Sequence, residues 1–434
     1  MTTPLNTDFI IIKSSGAIAG EFTVPPDKSV SHRAAMLASL ADGTSIIDNY
    51  LMSGDCLSTL GCLQGLGVRA DICQTGRVTV HSSGRAGLSE PADILDAGNS
   101  GTTIRLLSGI LASLHFTTFI TGDGSLKKRP VKRVMTPLSL MGAKFMARQG
   151  AYPPLAVEGN KLKAIEYDLP VASAQVKSAI LLAALGADGE TIIHEPAESR
   201  DHSERMLKAL GQDIRKEGNT IRITGGIEIP PFETRIPGDV SSASFLLTAA
   251  VLVPGSHIIL KNVGINPTRM GYVDALIRMG ADITVYSTGE TSLGEPEGTI
   301  EAKYSELHGI DIGGRDIPLL IDEIPLLAVA AAKAKGRTTV RDAKELRIKE
   351  SDRIAAIAAN MTSMGITMEE QEEGFSIEGV QYFKGGTIDP RSDHRIAMSF
   401  AIAALTAENE TKILNPGCAG ISYPGFWEIV RRRD

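Results

Sequence analysis

Cysteine is scarce. Four residues (Cys56, Cys62, Cys73, Cys418) are scattered through 434, with no Cys-x-x-Cys pair and no histidine at zinc-ligand spacing. That pattern argues against a disulfide framework or a structural zinc site and for reduced thiols. Positive charge is also in deficit: 44 Lys and Arg against 51 Asp and Glu leave a net charge of -7, the reverse of a nucleic-acid-binding footprint. Long apolar runs are missing. The window SFLLTAAVLVPG is too short and too interrupted by polar residues, Gly and Pro to cross a bilayer. The start MTTPLNTDFIIIKSSG has no basic stretch leading into a long apolar segment and a small-residue cleavage site. The expectation is a cytoplasmic protein with no metal, nucleic acid or membrane. The composition, 43% hydrophobic and 22% charged, is ordinary for a globular chain, and the length predicts two or more domains.

What is present is repetition. Five segments run from a polar turn through an Ala/Leu helix and a second turn into a β-branched strand: DKSVSHRAAMLASLADGTSIIDN, SAQVKSAILLAALGADGETIIHEP, DVSSASFLLTAAVLVPGSHIILKN, DEIPLLAVAAAKAKGRTTVRDA and DHRIAMSFAIAALTAENETKILNP. A sixth, GNSGTTIRLLSGILASLHFTTFITGD, follows the same plan with a degraded turn. Their starts near 27, 98, 173, 239, 322 and 393 lie 71, 75, 66, 83 and 71 residues apart, too far for the common solenoid repeats. Most copies add a second amphipathic helix ending in a Leu/Met-Gly stop, as in VMTPLSLMGA and YVDALIRMGA. Each unit therefore reads strand, helix, strand, helix, strand, an α/β (α+β) arrangement of helix-backed sheets. The Pro/Gly-rich stretch GGIEIPPFETRIPGD separates the third unit from the fourth. One domain is expected over 22–237 and the other from 1–21 plus 238–434, three repeats in each.

The Ala, Leu and Ile positions recur and read as core. The helix starts differ from copy to copy: Lys28, Ser29 and Arg33; Asn99, Ser100, Gly101 and Thr102; Ser173, Ala174 and Gln175; Asp239, Ser241 and Ser242; Asp322 and Glu323; Asp393, His394 and Arg395. Asp27 suits a helix cap, and capping also explains Asp239, Ser241 and Ser242 on stability grounds alone. Lys28, Arg33 and Arg395 cannot be caps and work against the helix dipole. Helix N-termini sharing one surface attract anions without a P-loop. Two further stretches begin second helices. KKRPVKR (127–133) is cationic, as a solvated face would be. RIKESDR (347–353), read as helix, puts Lys349 and Arg353 on one side with Glu350 beside them, as an exposed ion-paired helix also would.

In order, DKSVSHR, GNSGTTIRL, KKRPVKR, SAQVKSA, SRDHSER, IDEIPLLAVAAA, RIKESDR and SDHRIAMSF resemble the motif series of the 5-enolpyruvylshikimate-3-phosphate (EPSP) synthases, from about residue 9 to the C-terminus. Ala174, Arg200 and the IDE around Asp322 resemble the class II bacterial branch. The resemblance implies the two-domain enolpyruvyl transferase fold, six βαβαββ repeats in an inside-out α/β barrel arrangement, closing on substrates in a cleft. It implies transfer of the carboxyvinyl group of phosphoenolpyruvate to the 5-hydroxyl of shikimate 3-phosphate, giving EPSP and phosphate, by a monomer with no metal or organic cofactor. Carried over by motif, Lys28, Ser29, Arg33, Ser173, Ala174, Gln175, Arg200, Asp322 and Lys349 would hold shikimate 3-phosphate. Lys28, Gly101, Arg129, Gln175, Arg353 and Arg395 would surround phosphoenolpyruvate.

The chemistry calls for these residue types. Phosphates and a carboxylate need several cations, and arginine suits planar bidentate contacts. A charge pair at 4 Å is worth about 1 kcal/mol in water and about 4 at an effective dielectric near 20. Addition needs an acid for the methylene carbon and a base for the hydroxyl: Glu350 is expected to manage the methylene proton, with Asp322 and Lys28 at the hydroxyl. His32 is expected to be structural. Where many class I members carry a lysine near the C-terminus, GISYPGF has Ile421. In the family glyphosate occupies the phosphoenolpyruvate site, and Gly101 leaves room for it. The sister transferase acting on UDP-N-acetylglucosamine usually has a reactive cysteine in the loop corresponding to KKRPV, whereas none lies between Cys73 and Cys418 here. A non-catalytic anion-binding repeat protein accounts poorly for Glu350 and Asp322 among the cations.

Overall fold

The structure, a computed structural model, describes residues 7–431. The chain forms two compact units. The first comprises the residues up to Pro25, Gly238–Gly289 and Pro296 onward; the second comprises Pro26–Pro237 and Glu290–Glu295.

One sheet plan recurs within both units. In the second, the four-stranded sheets are ordered Glu233–Arg235, Asp42–Asp48, Val78–Ser83, Arg69–Ile72; then Leu95–Asp96, Thr117–Thr121, Tyr152–Glu158, Lys144–Arg148; then Glu166–Asp168, Glu190–His194, Thr220–Thr224, Asp213–Glu217. The first pair in each is parallel and the others antiparallel. In the first unit the same order is followed by Ala19–Phe22, His257–Gly264, Pro296–Lys303, Asp282–Glu290 and by Asp311–Ile312, Arg337–Val340, Gly374–Glu378, Glu369–Gln371. A three-stranded sheet, Gly386–Ile388, Thr411–Leu414, Phe9–Ile12, completes that unit's set.

The strand that begins the parallel pair explains the position of the first crossing. Ala19–Phe22 pairs in parallel with His257–Leu260, so the first unit runs to Pro25 and not to residue 21. The tip Glu290–Glu295 groups with the second unit, where Leu293 is fully buried in the apolar core. Nothing in the local pattern of SLGEP marks it for that position.

The six expected helices form at Lys28–Leu40, Gly101–Ala112, Ala174–Ala184, Val240–Leu252, Ile324–Lys333 and His394–Ala404. Asp27, Ser100, Ser173, Asp239 and Asp393 cap five of them by accepting backbone N–H bonds, which satisfies donors the helix cannot pair itself. Glu323 stands at the sixth start without such a bond. Their bodies are buried on all sides, so they form the inner layer behind the sheets. Helix Gly101–Ala112 meets helix Ala174–Ala184 so closely that a Cβ on Gly109 would stand 2.2 Å from the Ala179 carbonyl oxygen. Helix Lys132–Met141 stops at Gly142, whose φ of 122° no other residue type adopts readily.

RIKESDR is not a helix. Lys344–Ile348 is a short 3₁₀ turn, Lys349 is extended, and the helix starts at Arg353, where the Asp352 carboxylate accepts from the Ala355 amide. An N-cap aspartate out-competed helical continuation. KKRPVKR behaves similarly: Leu126–Lys128 is a 3₁₀ turn and the helix begins only at Lys132. Among the described residues, no helix is long and apolar enough to cross a membrane.

Candidate active site

In the second unit, three helix starts bring their polar residues together. Lys28, half-buried, has its Nζ 3.2 Å from Asp55 Oδ2. Arg33 is turned inward: Nε donates to Ser203 Oγ at 2.8 Å, Nη2 to Ser178 Oγ at 2.8 Å and Nη1 to the Ser29 carbonyl at 3.0 Å. Burial pushes its pKa down to about 10, against the pull of Glu204, Glu295 and Asp27 and with a further push from Arg200. Ser203 also donates to Ser178 at 2.7 Å, so the guanidinium sits in a closed hydroxyl pair with two of its five N–H groups uncommitted.

A second cluster gathers at the start of helix Gly101–Ala112. Gln175 Nε2 donates to Thr102 Oγ1 at 3.1 Å, and its Oε1 accepts from Arg105 Nη1 at 2.7 Å. Arg129 Nη2 donates to Asn99 Oδ1 at 2.9 Å and to Ser125 Oγ at 3.0 Å. Gly101 lies between the two arginines: a Cβ there would stand 2.9 Å from Arg105 Nη1 and 3.7 Å from Arg129 Nη1. Ser173 caps its helix, Ala174 begins it, and Arg200 is half-buried.

His32 explains itself in the same unit. Its Nδ1 lies 2.6 Å from Thr59 Oγ1, which lies 2.7 Å from Thr103 Oγ1, which donates to the cap Ser100 at 2.7 Å. This buried chain ties the start of one helix to the cap of another. Burial, then Lys28 and Arg33, hold the imidazole pKa well below its ordinary value, so it is neutral.

The first unit holds the acids. Arg353, 2% exposed, donates from Nε to Asp393 Oδ2 at 2.9 Å, from Nη2 to Glu350 Oε2 at 2.6 Å and from Nη1 to Asp322 Oδ1 at 3.3 Å. Lys349 Nζ reaches the same Asp322 oxygen at 3.4 Å. Burial works against the Arg353 charge, but Asp393, Glu350 and Asp322 together outweigh it and lift its pKa above the ordinary arginine value. Lys349 and Arg353 thus do converge, through the carboxylate of Asp322 and not through a shared helix face. Arg395 Nη1 donates to Ser241 Oγ at 2.5 Å, and Ser241 donates in turn to Glu323. Ser241 is therefore not a cap, although Asp239 is. Ile421 ends a 3₁₀ turn and is half-buried.

Sequence reasoning assigned no role to Arg105, Asp55, Asp393 or the Ser178–Ser203 pair. Arg105 stands inside GNSGTTIRL, four residues after Gly101, a helical spacing that would have put it beside the glycine. Asp393, Ser178 and Ser203 stand inside SDHRIAMSF, SAQVKSA and SRDHSER, where no local spacing names their partners, and Asp55 lies outside the motifs.

Each unit thus presents arginine and lysine held by precise polar partners, and the first adds the three carboxylates that share Arg353. Residues 12–430 match the family model described as EPSP synthase (3-phosphoshikimate 1-carboxyvinyltransferase). The chain belongs to the EPSP synthase family. Family relatives named 3-phosphoshikimate 1-carboxyvinyltransferase include one from Syntrophomonas wolfei, 48% identical over 415 residues, 95% of this chain and 96% of the relative. Another, from Bacillus thuringiensis, is 48% identical over 420 residues, 96% of this chain and 97% of its own. A solved EPSP synthase from Acinetobacter baumannii superposes with a TM-score of 0.87 at 44% identity, covering 98% of this chain and 97% of that one. As a member of the EPSP synthase family, this α/β protein is a carboxyvinyl transferase of the shikimate pathway and of aromatic amino-acid biosynthesis.

Proposed function

We propose that the two groups of residues divide the substrates as follows. Lys28, Ser29, Arg33, Ser173, the Ala174 backbone, Gln175, Arg200, Asp322 and Lys349 hold shikimate 3-phosphate. Lys28, Gly101, Arg129, Gln175, Arg353 and Arg395 hold phosphoenolpyruvate. The observation that carries this reading is the three-way sharing of Arg353 by Asp393, Glu350 and Asp322, which gathers a cation and two candidate proton carriers at one point.

The reaction then runs by addition and elimination. Glu350 gives a proton to the methylene carbon while the 5-hydroxyl oxygen bonds to the enol carbon and loses its own proton to Asp322, with Lys28 assisting. In the second half the new methyl group returns a proton to Glu350, the carbon–oxygen bond to phosphate breaks, the departing phosphate takes up the proton held by Asp322, and EPSP and phosphate leave. Glyphosate, an anion, fits the phosphoenolpyruvate position, with Gly101 as the gap that admits it. We also read the sheets as six βαβαββ copies, three per domain, in the inside-out barrel arrangement, and the protein as a cytoplasmic monomer.

A phosphate-release assay tests the division. Release should need phosphoenolpyruvate together with shikimate 3-phosphate, and UDP-N-acetylglucosamine should not replace the latter. Arg129→Ala should raise KM for phosphoenolpyruvate more than for shikimate 3-phosphate, and Lys349→Ala the reverse. Equal effects of both variants on both substrates would sink the residue assignments.

A further inference from the structure

Glu323 is a buried carboxylate with no evident local duty. It is 3% exposed and stands where helix Ile324–Lys333 begins, yet its side chain makes no capping bond to that helix. It points instead at two other helix starts. Oε1 accepts from Ser241 Oγ and lies 3.5 Å from Arg395 Nη1, while Oε2 is buried without a hydrogen-bond partner. Ser241, 1% exposed, is the bridge, accepting from Arg395 Nη1 at 2.5 Å. The ring of Phe245 lies 5.9 Å from the guanidinium carbon. Leaving a carboxylate out of water is costly unless it is paired, and a capping role at its own helix is the cheaper use of such a side chain.

We propose that Glu323 and Ser241 are positioning residues for Arg395. One edge of the guanidinium, Nη1, is anchored by the serine hydroxyl and the carboxylate behind it. The backbone amide of Arg395 is fixed independently by Asp393 Oδ1 at 2.9 Å. Nε and Nη2, the two nitrogens that form the fork for a carboxylate or phosphate, make no other hydrogen bond among the described residues. With one edge tied, the other keeps a single direction, and the ordering is completed before the anion arrives. The ligand is the anionic end of phosphoenolpyruvate, so the inference rests on the assignment of Arg395 to that substrate.

Steady-state kinetics of Arg395→Ala, Glu323→Ala, Glu323→Gln, Ser241→Ala and the double variant Arg395→Ala/Glu323→Ala test it. Glu323→Ala and Ser241→Ala should each raise KM for phosphoenolpyruvate about tenfold, the worth of one charge-assisted hydrogen bond, with KM for shikimate 3-phosphate unmoved. Glu323→Gln keeps an oxygen for the serine hydroxyl and should stay within about threefold of the parent. In the Arg395→Ala background, Glu323→Ala should add nothing. Additive effects in that cycle, or equal rises in both KM values, overturn the proposal. If Arg395→Ala itself leaves KM for phosphoenolpyruvate unchanged, the substrate assignment fails and the positioning role with it. Should Glu323→Ala not fold, Ser241→Ala carries the same test with both charges retained.

Discussion

Asp393 holds Arg353 through a 2.9 Å bond from Nε to Oδ2, and its other oxygen accepts the Arg395 amide at the same distance. One fully buried carboxylate therefore sets two of the three arginines assigned to phosphoenolpyruvate, one through its guanidinium and one through its backbone. Ser351 Oγ adds a third bond to it at 3.1 Å, next to Glu350.

Replacing Asp393 by Ala should accordingly damage stability as well as substrate affinity. Removing one partner of a buried pair costs about 3–5 kcal/mol, here with the loss of a helix cap worth about 1 kcal/mol more. Urea denaturation should show a clearly lowered midpoint, and a midpoint equal to the parent's would remove the structural part of this account.

Glu350 accepts from Arg353 Nη2 through Oε2, and it is the group assigned to the methylene proton. Glu350→Gln should keep the contact to Arg353 through its amide oxygen and lower kcat by roughly 10²- to 10⁴-fold, the range for loss of an acid–base group. Phosphoenolpyruvate binding in the presence of shikimate 3-phosphate, followed by calorimetry, should remain near normal. Near-parental turnover would remove Glu350 from the mechanism.

His32 makes a pH prediction. Its folded pKa is depressed below the ordinary 6.5, so below that pH the unfolded chain binds a proton that the folded chain refuses. Stability is then lost as pH falls, by up to about 1.4 kcal/mol per unit from this residue. His32→Asn should flatten the dependence of Tm on pH below about 6.5. An unchanged slope would mean that other groups dominate acid unfolding.

Gly101→Ala places a methyl group 2.9 Å from Arg105 Nη1. The end of a flexible arginine can move, so the chain should fold, but the 2.7 Å bond from Arg105 to Gln175 is strained. KM for phosphoenolpyruvate should rise roughly 3- to 10-fold, part of the worth of one charge-assisted bond, and glyphosate inhibition should weaken more. An inhibition titration with unchanged glyphosate affinity would contradict the placement of the inhibitor beside Gly101.

Much of this was legible because it is local. Apolar periodicity, caps at Asp27 and Asp239, and glycine stops such as Gly142 act over a few residues, so helix and strand positions and their recurrence could be read directly. The eight motifs carried the residue types that anionic substrates require. RIKESDR misled because its helical spacing is genuine, while the Asp352 cap that interrupts it only competes once the backbone is placed.

The sequence by itself determined the repeated elements, the family, and which cations and acids the chain offers. Tertiary structure decided how each charge is spent. Arg353 meets Asp393 across 40 positions, Ser241 meets Glu323 across 82 and Arg395 across 154. No local rule couples such distant residues. Only packed helix starts bring them within hydrogen-bond range, and burial there makes each pairing strong enough to hold one geometry.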